Sequence, residues 1–255
     1  MAVTGYSPNC SRVAKGKHIL ITRPIDTREQ DMFIHAGYTF DTVPLIATMA
    51  VDDDAMAQRI GAAAQEPHTV VFTSANAVQA VSEYTQGAVA GWDVHAIGHA
   101  TLERIGQLMP GQSVVGTAND ATSLAHHIIA EASVAPVIFF CGDQRREELP
   151  VLLADAGIPL EEVTVYHTIR MPVKIEPAHD GLVFFSPSAV ISFFELNRPK
   201  EGAVFFAIGN TTAAEIRKNC ENKVIIASAP SVAAVVTSVI DHYAKQEDPH
   251  EKVPR

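Results

Sequence analysis

The chain has 255 residues, of which 47% are hydrophobic and 19% are charged. This composition supplies enough apolar surface for one large domain or two small ones, and it excludes a disordered chain. The formal net charge is −10, which argues against a general nucleic-acid binder, because such a protein needs a basic face.

The chain carries three cysteines, Cys10, Cys141 and Cys220. The number is odd and no pair has CxxC spacing, so we predict reduced thiols in a cytoplasmic protein. No apolar run reaches the roughly 18 residues that a membrane-spanning helix needs, and no signal peptide is recognisable, so we expect no membrane partner. The ends of the chain, residues 1–16 and 246–255, are predicted to be flexible.

Nine short apolar runs are predicted to be β-strands. They are continuously apolar, which is typical of strands buried on both faces of a parallel sheet. Amphipathic stretches of helical length lie between them, and this alternation predicts an α/β fold with doubly wound units. In chain order the runs are 18–22, 69–73, 94–97, 113–116, 136–141, 163–166, 182–185, 204–208 and 223–227.

Two of the predicted helices carry recognisable end signals. Thr27-x-x-Gln30 matches a capping box, and Gly37 follows the helix that this box would begin. In residues 149–156 the apolar side chains recur at helical spacing, and Gly157 stands where a C-cap glycine belongs. Both helices are therefore expected to end at a glycine.

The sequence contains an internal repeat. VVFTSANAVQAV (70–81) resembles LVFFSPSAVISF (182–193), and VHAIGHATLERI (94–105) resembles FFAIGNTTAAEI (205–216) at nearly the same offset. The chain therefore holds two copies of one βα module set, which predicts two similar lobes. The remaining matching pairs are 113–128 with 224–239 and, more loosely, 19–43 with 138–163.

Four turns that follow predicted strands are rich in small and hydroxyl-bearing residues. Ligands of open α/β sheets bind at the carboxyl ends of strands, and free N–H groups at helix starts attract anions. Any single turn is better explained as a helix cap, and Ser186 fits the N-cap position with Pro187 at the first helical position. The repeated set predicts a site for a polyanion. The turns are 73–76, 98–101, 186–188 and 209–212.

Several motifs of nucleotide, hydrolase and metal sites are missing from the chain. There is no GxGxxG, no GxxxxGK[ST] and no GxSxG, which argues against classical dinucleotide, P-loop and α/β-hydrolase sites. There is also no HExxH and no paired CxxC, so we predict neither a cofactor nor a metal site.

Taken in order, these segments resemble the uroporphyrinogen-III synthase family. The resemblance extends from about residue 17 to residue 244, in the family's order and spacing. Phe185 departs from the family pattern, because a threonine is usual before the Ser-Pro-Ser turn, and this removes one hydroxyl contact. The matching stretches are 19–24, 70–78, 95–106, 142–157, 163–168, 184–194, 206–216 and 229–236.

The resemblance implies two doubly wound parallel-sheet lobes of similar topology, joined by a two-stranded linker with a cleft between them. Carried onto this sequence, lobe one comprises residues 17–44 and 168–245, and lobe two comprises residues 47–165. This division agrees with the repeat, because segment 19–43 then completes the copy at 182–239.

The resemblance also implies an activity. The family closes the linear tetrapyrrole hydroxymethylbilane to uroporphyrinogen III, with inversion of ring D and loss of water, for haem, sirohaem or cobalamin biosynthesis. The substrate bears an acetate and a propionate on every ring, so it is the kind of polyanion that the turns predict. A cytoplasmic, monomeric lyase without a cofactor follows, which takes its substrate from hydroxymethylbilane synthase and folds it for the spiro route.

Tyr166 matches the family's tyrosine at the lobe crossing, and the resemblance implies that it donates a proton to the leaving hydroxyl. An equal alternative is a structural aromatic residue on a linking strand. The two arginines among the binding residues could equally be ordinary surface arginines. The residues implied to hold substrate carboxylates are Thr22, Arg23, Thr73, Ser74, Asn76, Gly98, Thr101, Arg146, Ser186, Ser188, Gly209, Thr211 and Thr212.

Rival functions stay open from the sequence alone. A two-lobed protein that binds a polyanionic small molecule without catalysis would show the same turns. A nucleotide- or flavin-using enzyme could be built on the same α/β layers, and a synthase-like regulatory module would share the resemblance. Identifying the product isomer separates the synthase from the binding protein, and a colourless protein without nucleotide absorbance would count against the nucleotide- or flavin-using enzyme.

Overall fold

The structure is a computed structural model that describes residues 16–131, 136–176 and 179–247. Over these residues the chain forms two compact units. Unit 1 contains the described residues up to Ala47 and from Arg170 onward, and unit 2 is Thr48–Ile169. Cys10 and most of the two ends predicted to be flexible lie outside the described residues.

Strands and helices alternate along almost the whole described chain. In chain order the elements are β1 (His18–Ile21), α1 (Thr27–His35), β2 (Thr39–Thr42), β3 (Ile46–Ala50), α2 (Asp54–Ala63), β4 (Thr69–Phe72), α3 (Ala75–Thr85), β5 (Asp93–Ile97), α4 (His99–Leu108), β6 (Ser113–Ala118), α5 (Ala121–Ala130), β7 (Val137–Gly142), α6 (Glu148–Asp155), β8 (Leu160–Arg170), β9 (Gly181–Phe184), α7 (Pro187–Leu196), β10 (Val204–Ala207), α8 (Asn210–Asn219), β11 (Val224–Ile226) and α9 (Val232–Glu247).

Unit 1 is built on a five-stranded parallel sheet with the strand order β11-β10-β9-β1-β2. Successive side chains of a strand point to opposite faces of the sheet. Accordingly, Leu20 packs with Val190 of α7 on one face. Its neighbours Ile19 and Ile21 pack with Phe33 of α1 on the other face. Helices therefore cover both faces of this sheet.

Unit 2 is built on a six-stranded sheet with the order β3-β8-β7-β4-β5-β6. Phe72 of β4 packs with Val78 of α3 in a core that also includes α2 and α4. Val71, one residue earlier, packs with Leu124 of α5 and Leu153 of α6 on the opposite face. The predicted doubly wound α/β fold with two lobes is confirmed.

All nine predicted strands are present. The apolar-run criterion missed β2 and β3, which are edge strands with partly or largely exposed side chains. The boundaries of the two units fall inside β3 and β8, which are neighbours in the sheet. The lobe limits and the two-stranded linker that the resemblance implies stay predictions.

The glycines at the ends of α1 and α6 have the predicted role. Gly37 and Gly157 have φ of 76° and 73°, in the left-handed region that favours glycine. After α1 the Tyr38 N–H donates to the Phe33 carbonyl, and after α6 the Ile158 N–H donates to the Leu153 carbonyl. Both ends are thus Schellman motifs, which supports the pairing of these segments in the repeat.

The capping box predicted at Thr27 is wrong. Asp26 has the extended backbone of an N-cap, so Thr27 is already the first helical residue, and no side chain caps this helix. The side chain of Gln30 donates instead to the Ile25 carbonyl at 2.9 Å. The Gln30 side chain therefore fixes the chain just before α1, and it does not accept the N–H of the N-cap residue as a capping box would require.

Cys141 and Cys220 are free thiols, as predicted. Burial raises the pKa of the Cys141 thiol to about 11, so it is a packed apolar group rather than a nucleophile. Among the described residues, no helix is long and apolar enough to span a membrane.

Candidate functional site

The carboxyl end of β4 presents three of the predicted binding residues, Thr73, Ser74 and Asn76. Ser74 is the N-cap of α3, because its extended backbone precedes the helix and its Oγ accepts the Asn76 N–H at 3.1 Å. Thr73 and Ser74 are half-buried and Asn76 is exposed. The sequence folds this way because a serine after a buried strand satisfies one unpaired N–H group of the next helix.

Tyr166 lies beside this helix start. Its hydroxyl donates to Ser74 Oγ at 3.1 Å. Burial raises the pKa of the Tyr166 hydroxyl, and the hydrogen bond to Ser74 partly opposes that rise. The ring packs on the backbone of Gly142, where an added Cβ would overlap it. The Tyr166 phenol is therefore neutral and can donate a proton, and it is held at the end of β7.

A pocket of about 130 Å³ adjoins the Tyr166 side chain. It brings together two predicted residues, Tyr166 and Asn76, with three that the sequence analysis missed, Thr48, Gln79 and Glu83. Gln79 Nε2 donates to Glu83 Oε1 at 2.8 Å, so these two side chains are linked in the polar wall of the pocket. Helical spacing was the signal that could have found Gln79 and Glu83, because Gln79 follows Asn76 by three residues and Glu83 follows Gln79 by four.

Three further predicted residues of unit 2 lie at neighbouring strand ends. Gly98 follows β5 and is the N-cap of α4. Thr101, in the first turn of that helix, is buried, whereas Arg146 is exposed in the turn after β7. This edge therefore offers N–H groups and a guanidinium more readily than the Thr101 hydroxyl.

In unit 1 the end of β1 presents Thr22 and Arg23. Thr22 is buried, and its Oγ1 donates to the Val183 carbonyl at 2.8 Å, so this hydroxyl ties β1 to β9. Arg23 is exposed, and its guanidinium lies over the Phe185 ring at 5.4 Å. The residue that departs from the family pattern thus supplies a surface for a cation.

The ends of β9 and β10 present the other predicted residues of unit 1. Ser186 is the N-cap of α7, with Oγ accepting the Ala189 N–H at 3.2 Å and Pro187 at the first helical position, as predicted. Gly209 is the N-cap of α8. Ser188 and Thr212 are buried, and Thr211 is exposed.

The structure thus gathers the predicted residues into two groups, each at the carboxyl edge of its own sheet. The group of unit 2 is Thr73, Ser74, Asn76, Gly98, Thr101, Arg146 and Tyr166, and the group of unit 1 is Thr22, Arg23, Ser186, Ser188, Gly209, Thr211 and Thr212.

The sequence model of the family described as uroporphyrinogen-III synthase HemD matches residues 30–237, which is most of the chain. The chain belongs to the uroporphyrinogen-III synthase family. Membership confirms the resemblance, makes the chain a lyase of tetrapyrrole biosynthesis, and does not favour the reading as a binding protein without catalysis.

Solved structures of similar fold include uroporphyrinogen-III synthetase from Helicobacter pylori, with a TM-score of 0.65 and 16% identity over 89% of this chain and 99% of that one. A mutant uroporphyrinogen-III synthase from Thermus thermophilus gives a TM-score of 0.58 and 16% identity over 91% of this chain and 100% of its own. At this identity the likeness concerns the fold alone.

Proposed function

We propose that this chain converts hydroxymethylbilane to uroporphyrinogen III, with Tyr166 as the proton donor to the leaving hydroxyl. The single observation that carries the proposal is the neutral Tyr166 phenol beside a pocket and bonded to Ser74. Burial favours the neutral form of the phenol, and a neutral phenol can protonate a departing oxygen.

Ser74 forms a hydrogen bond with Tyr166 both before and after the proton transfer in this proposal. In the resting state its Oγ accepts both the Asn76 N–H and the Tyr166 O–H. When Tyr166 gives its proton to the substrate oxygen, the carbon–oxygen bond breaks, water leaves, and the terminal methylene carbon becomes part of an electron-deficient azafulvenium cation that balances the phenolate. The Ser74 O–H then donates to the Tyr166 phenolate, because a hydroxyl group carries one donor and two acceptor positions.

The substrate carboxylates bind mainly to neutral donors in this proposal. The starts of α3 and α7 direct free N–H groups and the positive ends of their dipoles to the carboxyl edges of the two sheets. Arg23 and Arg146 add positive charge at exposed positions. A chain of net charge −10 can thus hold a polyanion through local groups.

The product isomer tests the proposal. The purified chain is incubated with freshly prepared hydroxymethylbilane, and the oxidised porphyrins are separated by chromatography. We expect the type III isomer, whereas heat-denatured chain leaves only the spontaneous type I product. Type I product alone from the native chain would refute the proposal.

We further propose that the chain acts as a cytoplasmic monomer and takes its substrate from hydroxymethylbilane synthase. The free bilane closes spontaneously to the wrong isomer, so prompt capture favours the correct one. Light scattering should give about the chain mass of 27.4 kDa. In a coupled assay with the preceding synthase, the type III fraction should exceed that obtained by adding the chain after a delay.

A further inference from the structure

Three metal-ligating side chains meet in unit 1, away from the turns of the candidate site. Oδ2 of Asp41 lies 3.0 Å from Nε2 of His18 and 3.0 Å from Nε2 of His179. One ligand atom from each residue lies within 4.8 Å of the other two. His18 begins β1 and His179 precedes β9, so the cluster adjoins the amino ends of two strands.

The sheet holds these three residues in place. The strands β9, β1 and β2 are adjacent, and His18 is paired in register with Thr39. Asp41 follows Thr39 by two residues and therefore projects from the same face as His18. His18 Nδ1 lies 2.8 Å from Thr39 Oγ1, which orients the ring as outer partners orient metal-binding histidines.

The two histidine rings lie next to each other at the same carboxylate. The rings of His18 and His179 stack with their centroids 4.6 Å apart, and both direct Nε2 at the same carboxylate oxygen. In a tetrahedral zinc site with bonds of about 2.0–2.1 Å, two ligand atoms lie roughly 3.3 Å apart. The 3.0 Å separations at Asp41 differ from this by only a few tenths of an ångström.

The cluster is open to solvent on one side, and charged groups lie next to it. Asp180 accepts the His18 backbone N–H and pairs with Lys200 at 2.9 Å, and the Lys200 ammonium group is also close enough to act on His179. Asp41 faces two imidazoles, which are neutral when they bind a metal. The side chains of His18 and Asp41 are 39% and 28% exposed, which gives an ion a path and leaves room for a water ligand.

We propose that His18, Asp41 and His179 bind one divalent transition-metal ion of the zinc class. Two imidazole nitrogens and a carboxylate oxygen form a donor set suited to Zn²⁺ and its analogues. Because the ligands come from three neighbouring parts of one sheet, the bound ion stabilises unit 1. This site is separate from the proposed catalytic residues, and it does not depend on the proposed function.

The test uses the full chain without an affinity tag, freed of metal with a chelator. Co²⁺ is the spectroscopic probe, and Zn²⁺ is titrated by calorimetry. We expect one equivalent of either ion to bind, with the visible bands of four-coordinate Co²⁺. A hundredfold excess of Zn²⁺ over its Kd should raise the unfolding midpoint by about 5–10 °C.

Asp41→Asn and His18→Gln should each abolish the Co²⁺ bands and the thermal shift. The matched control is His35→Gln, which removes an exposed histidine of the same unit and should bind as the unmodified chain does. Far-ultraviolet circular dichroism checks the fold of each variant. If Asp41→Asn fails to fold, the result for His18→Gln decides the test, because the His18 side chain is half-exposed and its replacement should disturb the fold less. Absent binding, or binding that survives these substitutions, shows a cluster held by hydrogen bonds alone and overturns the proposal.

Discussion

The hydroxyl of Tyr166 donates a 3.1 Å hydrogen bond to Oγ of Ser74, a residue 92 positions earlier in the chain. The same oxygen caps α3 by accepting the Asn76 N–H. The proposed acid and the start of a proposed anion-binding helix therefore share one atom. We therefore expect any change that displaces the tyrosine ring to alter the start of α3, and any change at the start of α3 to displace the Tyr166 hydroxyl.

Removing the Tyr166 hydroxyl tests its role as the acid. Tyr166→Phe keeps the ring in its place, and we expect kcat to fall about 100-fold with little change in KM. The matched control is Tyr84→Phe, because the Tyr84 hydroxyl also donates a hydrogen bond in unit 2, to the Val51 carbonyl. This control should lose about 1 kcal/mol of stability and keep its kcat. An unchanged kcat in Tyr166→Phe would refute the role of Tyr166 as the acid and would show that its role is structural.

Gly142→Ala should lower activity by moving Tyr166. The added methyl group would overlap the tyrosine ring, so the hydroxyl must leave Ser74 Oγ. We expect kcat to fall at least tenfold, because small misplacements of reacting groups are costly. In the Tyr166→Phe background the same change should lower kcat much less, since the two effects share a cause.

Gly61→Ala is the control for this substitution. Gly61 lies in α2, and an added Cβ would have nothing within 4 Å. We expect it to raise the free energy of unfolding by about 0.5–1 kcal/mol and to leave kcat unchanged. Equal losses of activity in Gly61→Ala and Gly142→Ala would contradict a specific effect on Tyr166.

Two substitutions of Ser186 separate capping from anion binding. Ser186→Ala removes the acceptor of the Ala189 N–H and should cost about 1 kcal/mol of stability. Ser186→Asp keeps an N-cap acceptor, so stability should stay within about 0.5 kcal/mol, but its charge repels substrate carboxylates. We expect its KM to rise about tenfold. A KM equal to that of the unmodified chain would exclude this turn from substrate binding.

Stability should fall below pH 6.5 because of His95. Burial lowers the pKa of this histidine, and Glu131 only partly opposes the effect. Between the lowered pKa of the folded state and the ordinary value near 6.5, the unfolded chain binds more protons. The free energy of unfolding therefore decreases as pH falls, by at most about 1.4 kcal/mol per pH unit for one group.

Urea unfolding from pH 7.5 to 5.5, with a chelator present, measures this dependence. His95→Gln should show a shallower loss of stability, although burial also lowers the pKa of His179 and His242, so part of the slope remains. His35→Gln replaces an exposed histidine and should follow the unmodified chain. An identical slope in His95→Gln would show that this residue is not responsible.

Much of the fold could be predicted because its signals are local. A strand buried on both faces must be apolar at every position, so runs such as 69–73 and 204–208 are visible in the sequence. The strands β2 and β3 escape this criterion, because their side chains are half-buried or exposed and both strands contain threonine, so neither is a continuous apolar run. The capping box failed for a different reason, because Asp26 rather than Thr27 adopts the cap conformation.

The candidate site was predictable only in part. The turn residues stand out because serine and glycine are the residues that begin helices after strands, as Ser74, Ser186 and Gly98 do here. Whether a hydroxyl faces solvent is not a local property. Thr22 and Thr212 look like Thr73 in the sequence, but packing against the surrounding chain buries both of them.

The sequence by itself determined the class of fold, the repeat and the family, because apolar runs, glycines and their order are read along the chain. Only the tertiary structure decided which side chains meet. The bond from Tyr166 to Ser74 joins residues that are 92 positions apart, and Asp41 meets His18 and His179 across 23 and 138 positions. Such contacts depend on strand order and register, and these are set by the packing of the whole sheet rather than by any one segment.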